Sequence, residues 1–385
     1  VFRGDLVRGL SKRRTLLLLL AAYYLLTLGL LAVWQYNDWY HVSGDEPHYL
    51  VITKAMVEHQ TLEVTESYRE AFRDPEFFAG EDRANGEPTL DNTQTVLGPN
   101  GLYGVHSPGY PLLLAPGFIV GKIVGAKVLM VLLSGIAVVA SWRFATQFSD
   151  DPVTRILSVA VPCFGLPLLI ASSRIATDLS AGLFILAILA WITIRRDRLQ
   201  TDAWVDVLTA AAPAYMPWLH LKYSIAAVIC LAAMLLIVYN STKSLPRIAA
   251  MCAVFGASIA LLVYYNHYAY GSIEGPYTDR SDEIVFGLRA LMVFLGLHLD
   301  RAQGFLIENP GFFIGFVFLV PFIVKDRIVG LTMLGGYLST IIPNSLHDAS
   351  LYGGHFVGRF GWTAALALMP ATVYGVSRIS QASRR

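Results

Sequence analysis

The sequence predicts an all-α polytopic membrane protein, a single bundle of about ten transmembrane helices with a long polar loop after the first. Three observations predict it. Hydrophobic residues make up 55% of the chain and charged residues 15%, with a mean hydropathy of +0.52, where a soluble domain carries about 25% charged residues. Apolar runs long enough to cross a hydrocarbon core of about 30 Å recur along the chain. Between them, turns carrying Lys and Arg alternate with turns that hold most of the acids, the pattern of a chain threaded back and forth with its basic turns in the cytoplasm. The net charge of +1 and the lack of a basic stripe give no reason to expect nucleic acid as a partner. Cys163, Cys230 and Cys252 lie in apolar runs, away from metal-ligand spacing, and read as packing residues.

Taken in order, Arg3, Arg8, Lys12, Arg13 and Arg14 precede the first run, residues 16–34, which closes in the aromatic belt Trp34, Tyr36, Trp39 and Tyr40. A cleaved signal peptide has a shorter core and a small-residue cleavage site, so this run reads as the first transmembrane helix, its N-terminus cytoplasmic. The first exported loop spans about 37–110. In it, Pro47 starts a helix that Ser43 or Asp45 can cap. Tyr49, Ile52 and Met56 share one face of that helix and Lys54 and Glu58 pair at i,i+4, so it is expected to lie along the membrane surface.

Residues 112–120 are too few to cross and read as a re-entrant or interfacial helix, and a span follows at 124–144. Spans at 156–170 and 179–194 flank an exported turn at 172–178, and the second stops at Arg195-Arg196-Asp197-Arg198. Helix 204–217 leads outward to 218–223, 225–238 returns to Lys243 and Arg247, and 248–265 goes out again. A second exported region at about 266–310, spans at 311–324 and 328–342, a last exported loop at about 343–360 and a final span at 361–376 complete the single domain, 1–385. The chain then crosses the plasma (inner) membrane repeatedly, with both termini in the cytoplasm.

The exported turns present Asp45, Glu46, His48, His106, Arg174, Asp178, His220, Lys222, Arg301, His355 and Arg359, each within a few residues of a helix end. Ionisable groups beside membrane helices are costly unless they serve as a site. A carboxylate pair with several fixed cations suits an acidic, phosphate-bearing substrate. Transfer of a sugar from a phosphate-linked carrier needs a base for the acceptor hydroxyl and cations for the leaving phosphate, so one carboxylate can suffice.

The segments Gly44-Asp45-Glu46-Pro47-His48-Tyr49, His106-Ser107-Pro108-Gly109-Tyr110-Pro111 and Ser173-Arg174-Ile175-Ala176-Thr177-Asp178 resemble the GT-C superfamily of membrane glycosyltransferases. Among its members, protein O-mannosyltransferases and lipid A aminoarabinose transferases are the nearest in pattern. The stretches 217–223, 299–305 and 353–359 also look like patterns from bacterial members. This resemblance implies a GT-C-like bundle with its active site on the extracytoplasmic face. The activity it implies is transfer of a sugar, with inversion, from a polyprenyl-phosphate carrier to a cell-envelope glycan, lipid or protein. By position, Asp45 matches the base, with Glu46 adjoining it. Asp178 matches a second acid that helps the acceptor or a metal, and Arg359 matches a basic residue near the donor phosphate. His106-Ser107-Pro108-Gly109 departs from the Lys-Pro-Pro-like pattern of the aminoarabinose transferases, which leaves the acceptor class open.

Plainer readings stand beside these. Asp45 and Asp178 could cap helices, Arg174, His220 and Lys222 could anchor at the interface, and His106 and His355 could be structural. Paired carboxylates next to a substrate phosphate are the usual setting for magnesium or manganese, so Asp45 and Asp178 are the residues expected to hold a divalent cation if one takes part. A transporter or flippase is the competing class. It predicts polar residues near the midplane of several helices, whereas these residues cluster at one end.

Overall fold

The structure is a computed structural model that describes residues 2–37, 42–78, 87–197, 202–276, 284–348 and 358–383, with side chains from residue 12 onward. Five helices are long and apolar enough to cross a membrane: Lys12–Tyr36, Gly109–Phe148, Thr177–Asp197, Leu221–Thr242 and Leu245–Tyr270. The chain is a mostly helical, multi-pass membrane protein. The first and last of these helices are only 17% and 11% buried by the rest of the protein, so their apolar faces are left for lipid.

The centre of the bundle is the Arg359–Ala382 helix, buried almost continuously from Gly361 to Ser377. It packs against Thr177–Asp197, Gly311–Val317, Arg327–Ser345 and Pro152–Cys163. Small residues make that possible: a methyl group on Gly182 would stand 2.5 Å from the Leu366 side chain.

Three expected spans are interrupted. Residues 156–170 give the Pro152–Cys163 helix and then a break through Gly165 and Pro167. Residues 204–217 give Ala203–Thr209 and Ala211–Leu219, and 311–324 give Gly311–Val317 and Leu319–Lys325. In the last two cases a proline, Pro213 or Pro321, stands four residues after the final residue of the preceding helix. There its ring collides with a carbonyl that a continuous helix would place against it. The composition of these runs is right for a span, but the proline overrides it.

The Gly109–Phe148 helix contains a reversal. Gly121 (φ −152°, ψ 29°) and Lys122 (φ 49°, ψ −132°) leave helical geometry. A methyl group on Gly117 would stand 2.5 Å from the Gly125 carbonyl oxygen. Residues eight apart in a straight helix are about 12 Å apart, so the segment before Gly121 folds back along the one after it.

The described residues of the first loop form a series of short elements. The Glu46–Lys54 helix is buried from Glu46 to Thr53, enclosed by protein instead of lying on a surface as its pattern suggested. Rings of Tyr68, Phe78, His106 and Tyr110 pack on its His48 and Tyr49. The Lys54–Glu58 pair forms as expected. The turn residues Pro99 and Asn100 close an antiparallel hairpin of Thr95–Gly98 with Gly101–Gly104, in register Thr95↔Gly104.

Seventeen residues, about 25 Å, along the Thr177–Asp197 helix from Asp178 stands Arg195. At that end Asp206, fully buried, receives Arg195 Nε and Arg247 Nη1, each at 2.8 Å, and Arg196 pairs with Asp326 at 2.8 Å. Asp206→Ala is expected to destabilise the fold by about 3–5 kcal/mol, because the buried Arg195 loses a carboxylate it cannot exchange for water. Thermal unfolding in detergent checks it, and a midpoint equal to the wild type's would contradict that account of the network.

Candidate active site

Gly44 turns the chain in the left-handed region (φ 62°) and delivers Asp45 to the start of the Glu46–Lys54 helix. Asp45 occupies the capping position, yet its side chain makes no capping hydrogen bond. Its Oδ2 faces Arg359 Nη2 at 2.8 Å, and its Oδ1 accepts Gln94 Nε2 at 3.4 Å. Arg359 is the first residue of the central helix, after Gly358 at φ 82°, a conformation that favours glycine.

The Arg359 guanidinium lies over the Phe360 ring, 4.7 Å from its centre. Lys222 Nζ lies over that ring at 5.0 Å and over Tyr223 at 5.1 Å. Lys222 Nζ and the Tyr223 hydroxyl both donate to Asp178 Oδ1 at 2.8 Å. Two carboxylate–cation pairs therefore meet across one aromatic ring: Asp45–Arg359 and Asp178–Lys222.

Burial alone would push the Asp45 carboxyl up. The fields of His106 and Arg359, with hydrogen bonds from Arg359 and Gln94, more than offset it and hold the group well below the usual carboxylate range. His106 Nε2 is 2.7 Å from Gln94 Oε1, and its ring stacks against Tyr49 at 4.3 Å. His220 adjoins the cluster, and burial followed by the field of Lys222 presses its imidazole down to about 3. Neutral near pH 7, it accepts the Lys222 backbone N–H at 3.1 Å and holds the turn.

The structure thus brings Asp45, Arg359, His106, Asp178, Lys222 and His220 together. Other expected residues lie around this cluster or outside it, and the His48 ring stands 6.4 Å from that of His106. Glu46 is 1% exposed, and its two oxygens accept the backbone N–H groups of Ile175 (2.7 Å) and Ser43 (3.3 Å), so it ties the first loop to the 172–178 turn. His48 pairs with the Tyr68 hydroxyl at 2.6 Å inside the aromatic packing. Arg174 lies over Trp34 at 5.9 Å. Arg301 is exposed in the turn after the Gly287–Leu299 helix. His355 lies outside the described residues, as do residues 277–283 of the second exported region.

A divalent cation fits poorly between Asp45 and Asp178 in this arrangement, because a fixed cation already faces each carboxylate. Among the described residues, Glu58, His59 and Glu70 are the three whose ligand atoms converge, within 4.8 Å of one another. Lys54 bridges both of those carboxylates and Lys122 joins Glu58.

Near Gly358, Glu308 buries Oε2 without a hydrogen-bond partner among the described residues, and burial pushes its carboxyl up to about 7. A raised carboxyl leaves its stabilising contribution intact below the unfolded-state value of about 4.3 and loses it as pH rises toward 7. Glu308→Gln, neutral at every pH, is therefore expected to melt higher than the wild type at pH 8 and no higher at pH 4. A melting difference that does not vary with pH would refute this assignment.

Sequence reasoning missed Gln94, Tyr223 as the second donor to Asp178, and Phe360 as the ring between the cations. A polar residue in a loop 49 positions from its partner gives no local signal, and a ring beside an arginine gives only a weak one.

The fold has counterparts among solved structures, at low sequence identity. ArnT from Cupriavidus metallidurans bound to undecaprenyl phosphate superposes with a TM-score of 0.52 at 12% identity, over 94% of this chain and 59% of that one. The same protein in its apo state gives 0.52 at 11%, over 93% and 59%. AglB from Archaeoglobus fulgidus, in complex with an inhibitory peptide and a dolichol-phosphate, gives 0.44 at 11%, over 93% and 50%. The chain spans about 59% of the length of the ArnT structures. No protein-family model and no curated protein matches the chain.

Proposed function

We propose that this chain is an integral-membrane glycosyltransferase that moves a sugar, with inversion, from a polyprenyl-phosphate carrier to a hydroxyl on a cell-envelope glycan, lipid or protein. The observation that carries the reading is Asp45: placed where an aspartate ordinarily caps a helix, it instead turns its carboxylate to Arg359 and Gln94, beside a second acid–cation pair. The GT-C-like fold supports the reaction class, and the undecaprenyl phosphate bound to ArnT supports the donor class.

In the reaction, the acceptor oxygen attacks the anomeric carbon from the face opposite the phosphate. Its proton passes to Asp45, the new carbon–oxygen bond forms, and the bond to the phosphate oxygen breaks with its electron pair remaining on phosphate. Arg359 and Lys222 stabilise the charge that collects there. Asp178 holds Lys222 in place.

About ten crossings, including the shorter interrupted helices, with both termini in the cytoplasm, account for the charge pattern. The far end of the bundle gathers Arg143, Arg155, Arg195, Arg196 and Arg247, and the Asp45 end then faces outward. The direct test incubates the purified protein with a panel of polyprenyl-phosphate sugars and candidate acceptors and reads products by mass spectrometry. Transfer with release of the polyprenyl phosphate is expected. Uptake of an intact substrate into vesicles without bond cleavage would replace this reading with a transporter.

A further inference from the structure

We infer that Gln94 is a positioning residue that couples Asp45 to His106. The inference rests on the reading of Asp45 as base. The Gln94 side chain lies between the two, Oε1 at 2.7 Å from His106 Nε2 and Nε2 at 3.4 Å from Asp45 Oδ1. Its amide has one donor end and one acceptor end, and the charge on Asp45 decides which faces which: an ionised carboxylate accepts only N–H groups, so the NH₂ end must face Asp45. The carbonyl end then faces His106, whose Nε2 must carry a proton to donate to it. The state of the base thus fixes the protonation of a histidine it does not touch.

The hairpin explains how this residue reaches its place. In the register Thr95↔Gly104 the next pair outward is Gln94 with Val105, and the Val105 N–H donates to the Gln94 carbonyl at 2.9 Å. This pairing sets Gln94 beside His106 and fixes its backbone, so the side chain spans a gap between two anchored groups. The two contacts on Asp45 are also unequal. Arg359 holds Oδ2 closely, while the long bond from Gln94 leaves Oδ1 the oxygen better able to accept a proton. Gln94 keeps that oxygen aimed when a donor phosphate competes for Arg359.

The test uses the full-length protein and the variants Gln94→Leu and Gln94→Glu, with donor-sugar turnover measured across pH. Gln94→Leu is expected to lower kcat by about 10- to 100-fold with little change in donor KM, the loss typical of a misaligned catalytic group. Gln94→Glu supplies a discriminating signature. Protonated, a glutamic acid donates through its hydroxyl to Asp45 and accepts from His106, reproducing the amide; ionised, it repels Asp45. Its activity is therefore expected to approach the wild type's near pH 5 and to fall at least about 10-fold below it by pH 8. Equal fractional losses at every pH, or a Gln94→Leu variant with wild-type kcat, would overturn the inference while leaving the transferase reading intact. Nitrogen-15 NMR of histidine-labelled wild type, with His106→Gln used to assign the signal, is independent of turnover. Protonation at His106 Nε2 is expected, and a neutral ring protonated only at Nδ1 would overturn the inference. If the wild type transfers no sugar at all, the transferase reading fails and the NMR result still judges the coupling.

Discussion

Asp45→Asn is expected to lower kcat by about three orders of magnitude while leaving folding and donor binding in place. Asparagine keeps the shape of the side chain but has no lone pair basic enough to take the acceptor's proton. The substitution also removes the anion that faces Arg359, so the guanidinium has one competitor fewer and donor affinity should hold or rise. The two effects separate the base from a mere strut. Turnover with a polyprenyl-phosphate sugar, donor binding by displacement and thermal unfolding together make the measurement. A variant that binds donor and still turns over within a few-fold of the wild type would remove Asp45 from the chemistry.

Much of the candidate site is legible in the chain because ionisable residues next to membrane helices are rare enough to stand out. Asp45, Asp178, Lys222 and Arg359 announce themselves in this way, and the structure joins them through the Phe360 ring. The same rule misplaces Glu46 and His48. Both belong to the conspicuous Asp-Glu-Pro-His run, but a helix turns its residues in different directions, so they point into packing and toward backbone N–H groups. Gln94 is hidden for the opposite reason: it is uncharged, in a polar loop, and its importance comes from hairpin register. The interrupted helices show a third kind of failure, in which average hydropathy reads a run as a span although one proline has already divided it. Sequence patterns report what a residue costs in lipid, and they are silent on which neighbour relieves that cost.

Arg359→Ala carries the second large effect, an expected loss of about 10²- to 10³-fold in kcat/KM together with a new dependence on pH. Arg359 has two claims on it. It pairs with Asp45, and its buried Nε has no hydrogen-bond partner among the described residues, a donor suited to a phosphate oxygen. While the guanidinium faces Asp45, the carboxylate sits well below its usual range and is a weak base. On the proposed function, a donor phosphate that draws the guanidinium away would make the same carboxylate more basic at the moment an acceptor can use it. The acid limb of kcat should then lie at higher pH than that of kcat/KM, since the first reports the bound enzyme and the second the free enzyme. Removing the cation raises the Asp45 carboxyl, because burial is then opposed mainly by His106. Activity of Arg359→Ala should accordingly still climb with pH above the point where wild-type kcat/KM has already levelled off. Arg359→Lys keeps the charge but loses the second N–H, so it should restore the flat profile while leaving donor KM raised. Parallel pH profiles for wild type and Arg359→Ala would mean that the guanidinium never sets the basicity of Asp45, and the exchange between carboxylate and phosphate would have to be abandoned.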